Sequence, residues 1–221
     1  PYFGLAASLI SLDATHLHAS AKYHWELGDV STADGSHVEH QYIEDGTYLT
    51  KLTTQVDKPG GWTTHHYARV RVDNVQPVVD AGPDIVAKEG QVINFLGHFT
   101  DAEWGDKHEA TWRWGDNSMG KGKVVETNDK PQAEGTVTGN HAYCDNGEYT
   151  VELRVRDDDG GVGKDTLTVK VENVAPTVEA GEDMFAYPCT PITLMAHFMD
   201  PGWCDTHIGF WEFGDLSLIH I

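Results

Sequence analysis

Basic residues are scarce in this 221-residue chain: 15 Lys plus Arg face 35 Asp plus Glu, for a formal charge of −20. Gripping a phosphate backbone takes clustered Lys and Arg, so nucleic acid and anionic lipid surfaces are excluded as partners, while cations remain open. No stretch approaches the ~20 apolar residues of a membrane-spanning helix. Cysteine is equally sparse. Cys144, Cys189 and Cys204 lack the paired spacing of a zinc site or a disulfide framework. If residues 190–198 form a strand, Cys189 and Cys204 lie roughly 25 Å apart at ~3.3 Å per residue, beyond the ~7 Å that a disulfide spans, so free thiols are expected. There is no Asn-x-Ser/Thr sequon, no Ser-His-Asp order, no HExxH pair and no glycine-rich phosphate loop. An initiator Met and a basic n-region before the weakly apolar Pro1–Ile10 are also missing, so the chain reads as the interior of a longer one.

What the chain does have is a repeat. Residues 77–116 align without a gap on residues 176–215, a shift of 99, with 16 of 40 positions identical. Among them are Asp84/Asp183, Asp101/Asp200, Trp104/Trp203, Asp106/Asp205, His108/His207, Trp112/Trp211, Gly115/Gly214 and Asp116/Asp215. The other half of the unit recurs too. His40-Gln-Tyr42 and Asp45-Gly46-Thr-Tyr48 match His141-Ala-Tyr143 and Asn146-Gly147-Glu-Tyr149, and Asp73-Asn74-Val matches Glu172-Asn173-Val. Trp25 to Asp29 supplies a first W-x-x-G-D element, with Leu27 where the second has Trp114. From that Asp to the next His is 11 residues in the first copy and 25 in the second, which places a long loop or extended hairpin between Asn117 and Gly135. The expected units are 1–76, lacking its start, 77–175, whole, and 176–221, cut near its middle.

Each unit reads as β. Residues 91–99, 147–156 and 162–171 alternate apolar and polar side chains, with Tyr149, Val151, Leu153 and Val155 inward. Asp45-Gly46, Asn146-Gly147 and Gly160-Gly161 punctuate them as turns. About seven strands in ~99 residues is the arithmetic of an immunoglobulin-like sandwich, with Trp25, Trp112 or Trp211 buried on a central strand and Tyr149 at a tyrosine corner.

Together, W-x-W-G-D at 112–116, H-x-Y at 141–143, N-G-x-Y-T-V-x-L-x-V-x-D at 146–157 and the V-x-N-V-x-P-x-V-x-A-G-x-D joint at 171–183 resemble the polycystic kidney disease (PKD) domain. The resemblance covers about residues 19–215. It implies an all-β fold of tandem immunoglobulin-like sandwiches, used in arrays on cell surfaces and in secreted proteins, with no catalytic activity. The last six residues, 216–221, depart from the pattern, resemble translated vector sequence and are given no function.

Asp157-Asp158-Asp159 is the densest acidic run. It is read first as a solvated turn; joined by the joint residues Asp84, Asn173 and Asp183, it is a candidate calcium site, because hard cations take six to eight oxygens. No other cofactor is expected. The Asp101, Trp104, Asp106, His108 set and its copy Asp200, Trp203, Asp205, His207 could hold a metal or act as acid and base. Its repetition favours a loop lock. Asp29, Asp116 and Asp215, each following the glycine Gly28, Gly115 or Gly214, are read as turn locks. His16, His18, His65 and His66 are read as casual surface contacts. Trp62, Trp104 and Trp203 are candidates for stacking on a ligand such as a sugar ring. The functional expectation is a non-catalytic extracellular spacer or interaction module that meets protein or polysaccharide. Its rival is the substrate-targeting part of a secreted hydrolase whose catalytic domain lies elsewhere.

Overall fold

The computed structural model describes residues 2–15, 17, 20–214 and 218–220. His16, His18 and Asp215, and with them residues 216, 217 and 221 of the tail, lie outside the described residues. Within them the chain is all β: no helix is present, so none is long and apolar enough to cross a membrane.

The first unit contributes β1 (Tyr2–Leu5), β2 (Leu9–Asp13), β3 (Lys22–Glu26), β4 (Thr32–Asp34), β5 (His37–Gln41), β6 (Gly46–Gln55) and β7 (Thr63–Asp73). They form a sheet of order β1-β7-β6-β3-β4 and a separate β2-β5 pair. Strict alternation in β2 and β3 buries every second residue. Leu12, Trp25, Val38, Leu52 and Val70 accordingly meet in one core between the two layers.

The second unit adds β8 (Val78–Asp80), β9 (Ile85–Lys88), β10 (Ile93–Asp101), β11 (Glu109–Arg113), β12 (Met119–Asp129), β13 (Gln132–His141), β14 (Gly147–Arg156) and β15 (Val162–Glu172). These are eight strands where about seven were expected, because the first strand splits. β8 pairs antiparallel with β10, and β9, beyond the turn at Gly82 (φ +93°), pairs parallel with β15 in the other layer. The layers also join through β12, whose first residues pair with β11 and whose remainder pairs with β13. This β12–β13 hairpin is the long insertion. Around Trp112, fully buried, pack Phe95 and Trp114, with ring centroids 5.5 and 5.7 Å away, and Val137, Val151 and Leu153 complete a core distinct from the first.

The third unit contributes β16 (Thr177–Glu179), β17 (His197–Met199), β18 (Phe210–Glu212) and β19 (Leu218–His220), paired as β16-β17 and β18-β19. The β16–β17 register, Val178 opposite Phe198, reproduces that of β8–β10 one repeat earlier, Val79 opposite Phe99. The expected strand over 190–198 is not formed, and only residues 197–199 pair. A strand needs ladder partners, and in this unit β17 has only the three residues of β16 to pair with. Val178, Phe198, Ile208 and Phe210 are left exposed.

Candidate functional site

The W-x-x-G-D element closes the turn after the central strand in the first two units. Gly115 sits at φ +87°, and a Cβ there would lie 2.7 Å from the Thr150 carbonyl oxygen; Gly28 makes the same approach to Leu49. The following Asp locks the turn. Asp116 accepts the Ser118 backbone N–H at 2.9 Å through Oδ1 and meets His141 Nε2 at 2.7 Å through Oδ2. Asp29 repeats both contacts with Ser31 and His40. Burial opposes ionisation of Asp29 and Asp116, yet these hydrogen bonds hold both carboxyls below the ordinary value. Trp25 is buried like Trp112, whereas Trp211 is half-buried in the smaller third unit, where Gly214 keeps a positive φ. The Tyr149 hydroxyl donates to the Asp145 carbonyl at 2.9 Å, and Tyr143 donates to the Trp114 carbonyl at 2.8 Å.

The loop after β10 is held from several sides. His108 lies between Glu126 (Nδ1 at 2.8 Å) and Asp101 (Nε2 at 3.2 Å). Burial disfavours its charge, but hydrogen bonds to Asp101 and Glu126 raise its pKa above the ordinary histidine value. Asn128 donates to the Asp106 carbonyl at 2.7 Å, and the Lys130 ammonium stands 5.4 Å over the Trp104 ring. The inserted hairpin thus braces this loop. In the third unit Asp200 meets His207 at 2.7 Å.

The braced loop reaches into the joint with the first unit. Glu103, 0% exposed, accepts the Val75 N–H at 2.6 Å and the Asp45 N–H at 3.1 Å, one oxygen for each. Carboxylates of Glu44, Glu103, Asp106 and Asp159 converge with ligand atoms all within 4.8 Å of one another. Asp101, Asp106 and Asp157 form an adjoining group that shares Asp106.

The second joint is related but exchanged. Glu89 accepts the N–H of Val174, the counterpart of Val75, at 2.5 Å, while Gly202 stands where the first joint has Glu103. A Cβ on Gly202 would lie 2.8 Å from the Glu89 carboxyl carbon, so this carboxylate occupies the space of the missing side chain. Backbone bonds match Glu89 to Ala6 of the first unit: Ala6 N–H donates to Asp73 and Glu89 N–H donates to its repeat partner Glu172. The valine N–H at each joint therefore receives one glutamate, from the following unit in the first and from the preceding unit in the second. Glu89, Asp145 and Asp205 converge there, again within 4.8 Å.

Cys144 and Cys204 form a disulfide across this second joint, with Cα atoms 5.3 Å apart. This corrects the expectation of free thiols. Cys204 pairs with a cysteine of the neighbouring unit, and only Cys189 is free and exposed.

Of the expected calcium ligands, Asp157 and Asp159 reach the joint. Asp158 accepts the Lys107 N–H at 2.9 Å. Asp84 accepts the Thr168 N–H at 2.7 Å within its own unit, and Asn173 and Asp183 are exposed and belong to neither joint cluster. Asn74, the counterpart of Asn173, is oriented by Asp157 of the following unit at 3.2 Å; among the described residues nothing does this for Asn173. Glu44, Glu103 and Glu89 were not singled out in the sequence. Trp203 and Trp62 are 62% and 43% exposed, and the indole of Trp104 lies under Lys130. His65 and His66 are exposed on β7, each against a threonine hydroxyl.

Burial, with the nearby Asp101 and Asp45 charges, pushes the Glu103 carboxyl up to about 7 against the pull of its two backbone donors. Burial and the Glu103 and Asp101 charges push Asp106 up to about 8. Without a cation the folded chain retains protons here that the unfolded chain releases near pH ~4. That stabilising contribution is complete below pH ~4 and is lost as pH rises through about 7 to 8. In chelator, thermal unfolding should fall from pH 5 to pH 8, with a smaller fall in the Glu103→Gln/Asp106→Asn chain; an equal fall would remove these two groups as the cause.

A family profile described as the PKD domain matches residues 8–72 and 74–171. Among solved structures, the mouse nectin-like molecule 4 ectodomain is 12% identical at a TM-score of 0.44, covering 95% of this chain and 79% of that one. Dpr2 Ig1-Ig2, solved with DIP-Theta, is 11% identical at 0.35, covering 77% and 61%. SGBP-B of the Bacteroides ovatus mixed-linkage glucan utilization locus, solved with a heptasaccharide, is 13% identical at 0.29, covering 81% and 48%. The chain thus spans less than two thirds of the length of these last two.

Proposed function

Because the chain belongs to the PKD domain family, we propose that it is a non-catalytic spacer and contact module of a secreted or cell-surface array. The observation that carries this reading is the bonded joint. Glu103 of the second unit satisfies backbone donors at both Val75 and Asp45 of the first, so the two sandwiches are fixed by directional bonds as well as by a linker. The disulfide between Cys144 and Cys204 supports the location, since such bonds persist in oxidising compartments. Exposed Trp62 and Trp203 offer flat apolar surface to a protein or polysaccharide partner.

Small-angle scattering tests the spacer role. The first two units should scatter as one fixed elongated body. Glu103→Ala leaves two backbone donors without their acceptor, costing about 1–3 kcal/mol for each that stays dry, and should broaden the profile into that of a hinged pair. A hinged profile in the unaltered chain would overturn the reading.

A further inference from the structure

We propose that the joint between the first and second units is a calcium site, with the ion held by the carboxylates of Glu44, Glu103, Asp106 and Asp159. Three segments from two units supply these groups: the turn before β6, the loop after β10 and the β14–β15 turn. All the donors are oxygen, and no imidazole or thiol belongs to the group, which selects a hard cation.

Beyond their proximity, Asp106 points to a ligand. It is 2% exposed, and neither of its carboxylate oxygens has a hydrogen-bond partner, although its ligand atom lies within 4.8 Å of three other carboxylates. A buried carboxylate without a partner is unfavourable, and so is its repulsion by the others; one divalent ion reverses both. Among the described residues, none of the four is ion-paired to a Lys, Arg or His. Glu103 is already aimed by its two backbone donors, each oxygen keeping a lone pair free.

The adjoining Asp101 and Asp157 are committed elsewhere. Asp101 serves the Glu103 N–H and His108, and Asp157 accepts the Gly160 and Gly161 N–H groups at 2.6 and 2.7 Å. They border the site rather than hold the ion. The second joint repeats the pattern with Asp145 at the position of Glu44 and Asp205 at that of Asp106, and Glu89 there keeps one buried oxygen unpartnered. That joint is closed by a disulfide whose positions are Ile43 and Gly105 in the first, so the first has no covalent link to replace an ion.

This deepens the spacer reading, yet binding can be read without reference to shape. The full chain, stripped with chelator, is titrated with calcium chloride by calorimetry, with magnesium chloride as comparison. Saturable calcium binding is expected, at least 10-fold tighter than magnesium. The Glu44→Gln/Asp159→Asn chain, altered only at two exposed side chains, should bind one ion fewer, while Asp183→Asn binds as the unaltered chain does. Asp106→Asn should lose the calcium-dependent rise in Tm of the first two units but melt no lower than the unaltered chain in chelator; a lower Tm there would assign Asp106 a structural role and count against the proposal. No calcium heat, or a stoichiometry unchanged in the Glu44/Asp159 variant, overturns the site. Calcium heat with a hinged scattering profile would fault the spacer reading alone, and a fixed profile without calcium heat would fault this proposal alone.

Discussion

Trp112→Ala is expected to lower the stability of the second unit by about 3–5 kcal/mol, the cost of deleting a large buried aromatic. The indole is fully buried among Phe95, Trp114 and the residues of both layers. Two glycines are shaped to it: a Cβ on Gly139 would lie 2.7 Å from Trp112 Cδ1, and one on Gly97 would lie 3.4 Å from Cη2. Those bare backbones cannot move inward to refill the space without breaking the β10–β13 ladder that carries both glycines. Denaturant unfolding should show the second unit's transition at lower concentration. The first, whose core is built on Trp25, should unfold as before except for what the joint transmits. A loss below about 1 kcal/mol would mean that the layers collapse onto the cavity.

Cys144→Ser should release the third unit. The bond closes a separation of 60 residues, for which loop-closure entropy gives about 4 kcal/mol. Few other contacts tie this unit down: the Cys204 N–H to Cys144 carbonyl bond at 3.3 Å, and the close approach of Pro201 to Gly90 and of Gly202 to Glu89. Protease cutting at the exposed Phe185 and Tyr187 should accelerate at least 10-fold in the variant. The core of the second unit should keep its resistance. Equal cutting rates would show that the third unit is held by something other than the disulfide.

Much of the fold was legible because the repeat supplies its own alignment. Alternation at 147–156 gave β14 to the residue, and the Asp29-to-His40 and Asp116-to-His141 spacings revealed the hairpin. The split first strand was not legible, since Val78–Asp80 and Ile85–Lys88 are each too short to show a period. The joint was legible only in part. Asp157 and Asp159 stood out as a run, whereas Glu44 and Glu103 are single acids in different units whose meeting depends on how the units dock. Glu103 was hidden further because its aligned position is Gly202, which makes it look dispensable. Cys144 and Cys204 align with Ile43 and Gly105, so the repeat gave no sign of their bond. The role of the hairpin was not legible either: its end supports the joint loop through Glu126, Asn128 and Lys130, residues that the spacing alone leaves without partners.

The glutamate that changes sides between the joints makes neighbouring units non-interchangeable. Each joint has one valine N–H, of Val75 or Val174, to satisfy, and the space beside it holds one glutamate. A second unit followed by a copy of itself would drive Glu89 and Glu103 into the same buried space. A first unit followed directly by the third would bring Ala6 against Gly202 and leave the valine N–H dry and unmatched. Large and small residues at these two positions act as a key and its lock, so the order of the sandwiches along the array is written into their ends.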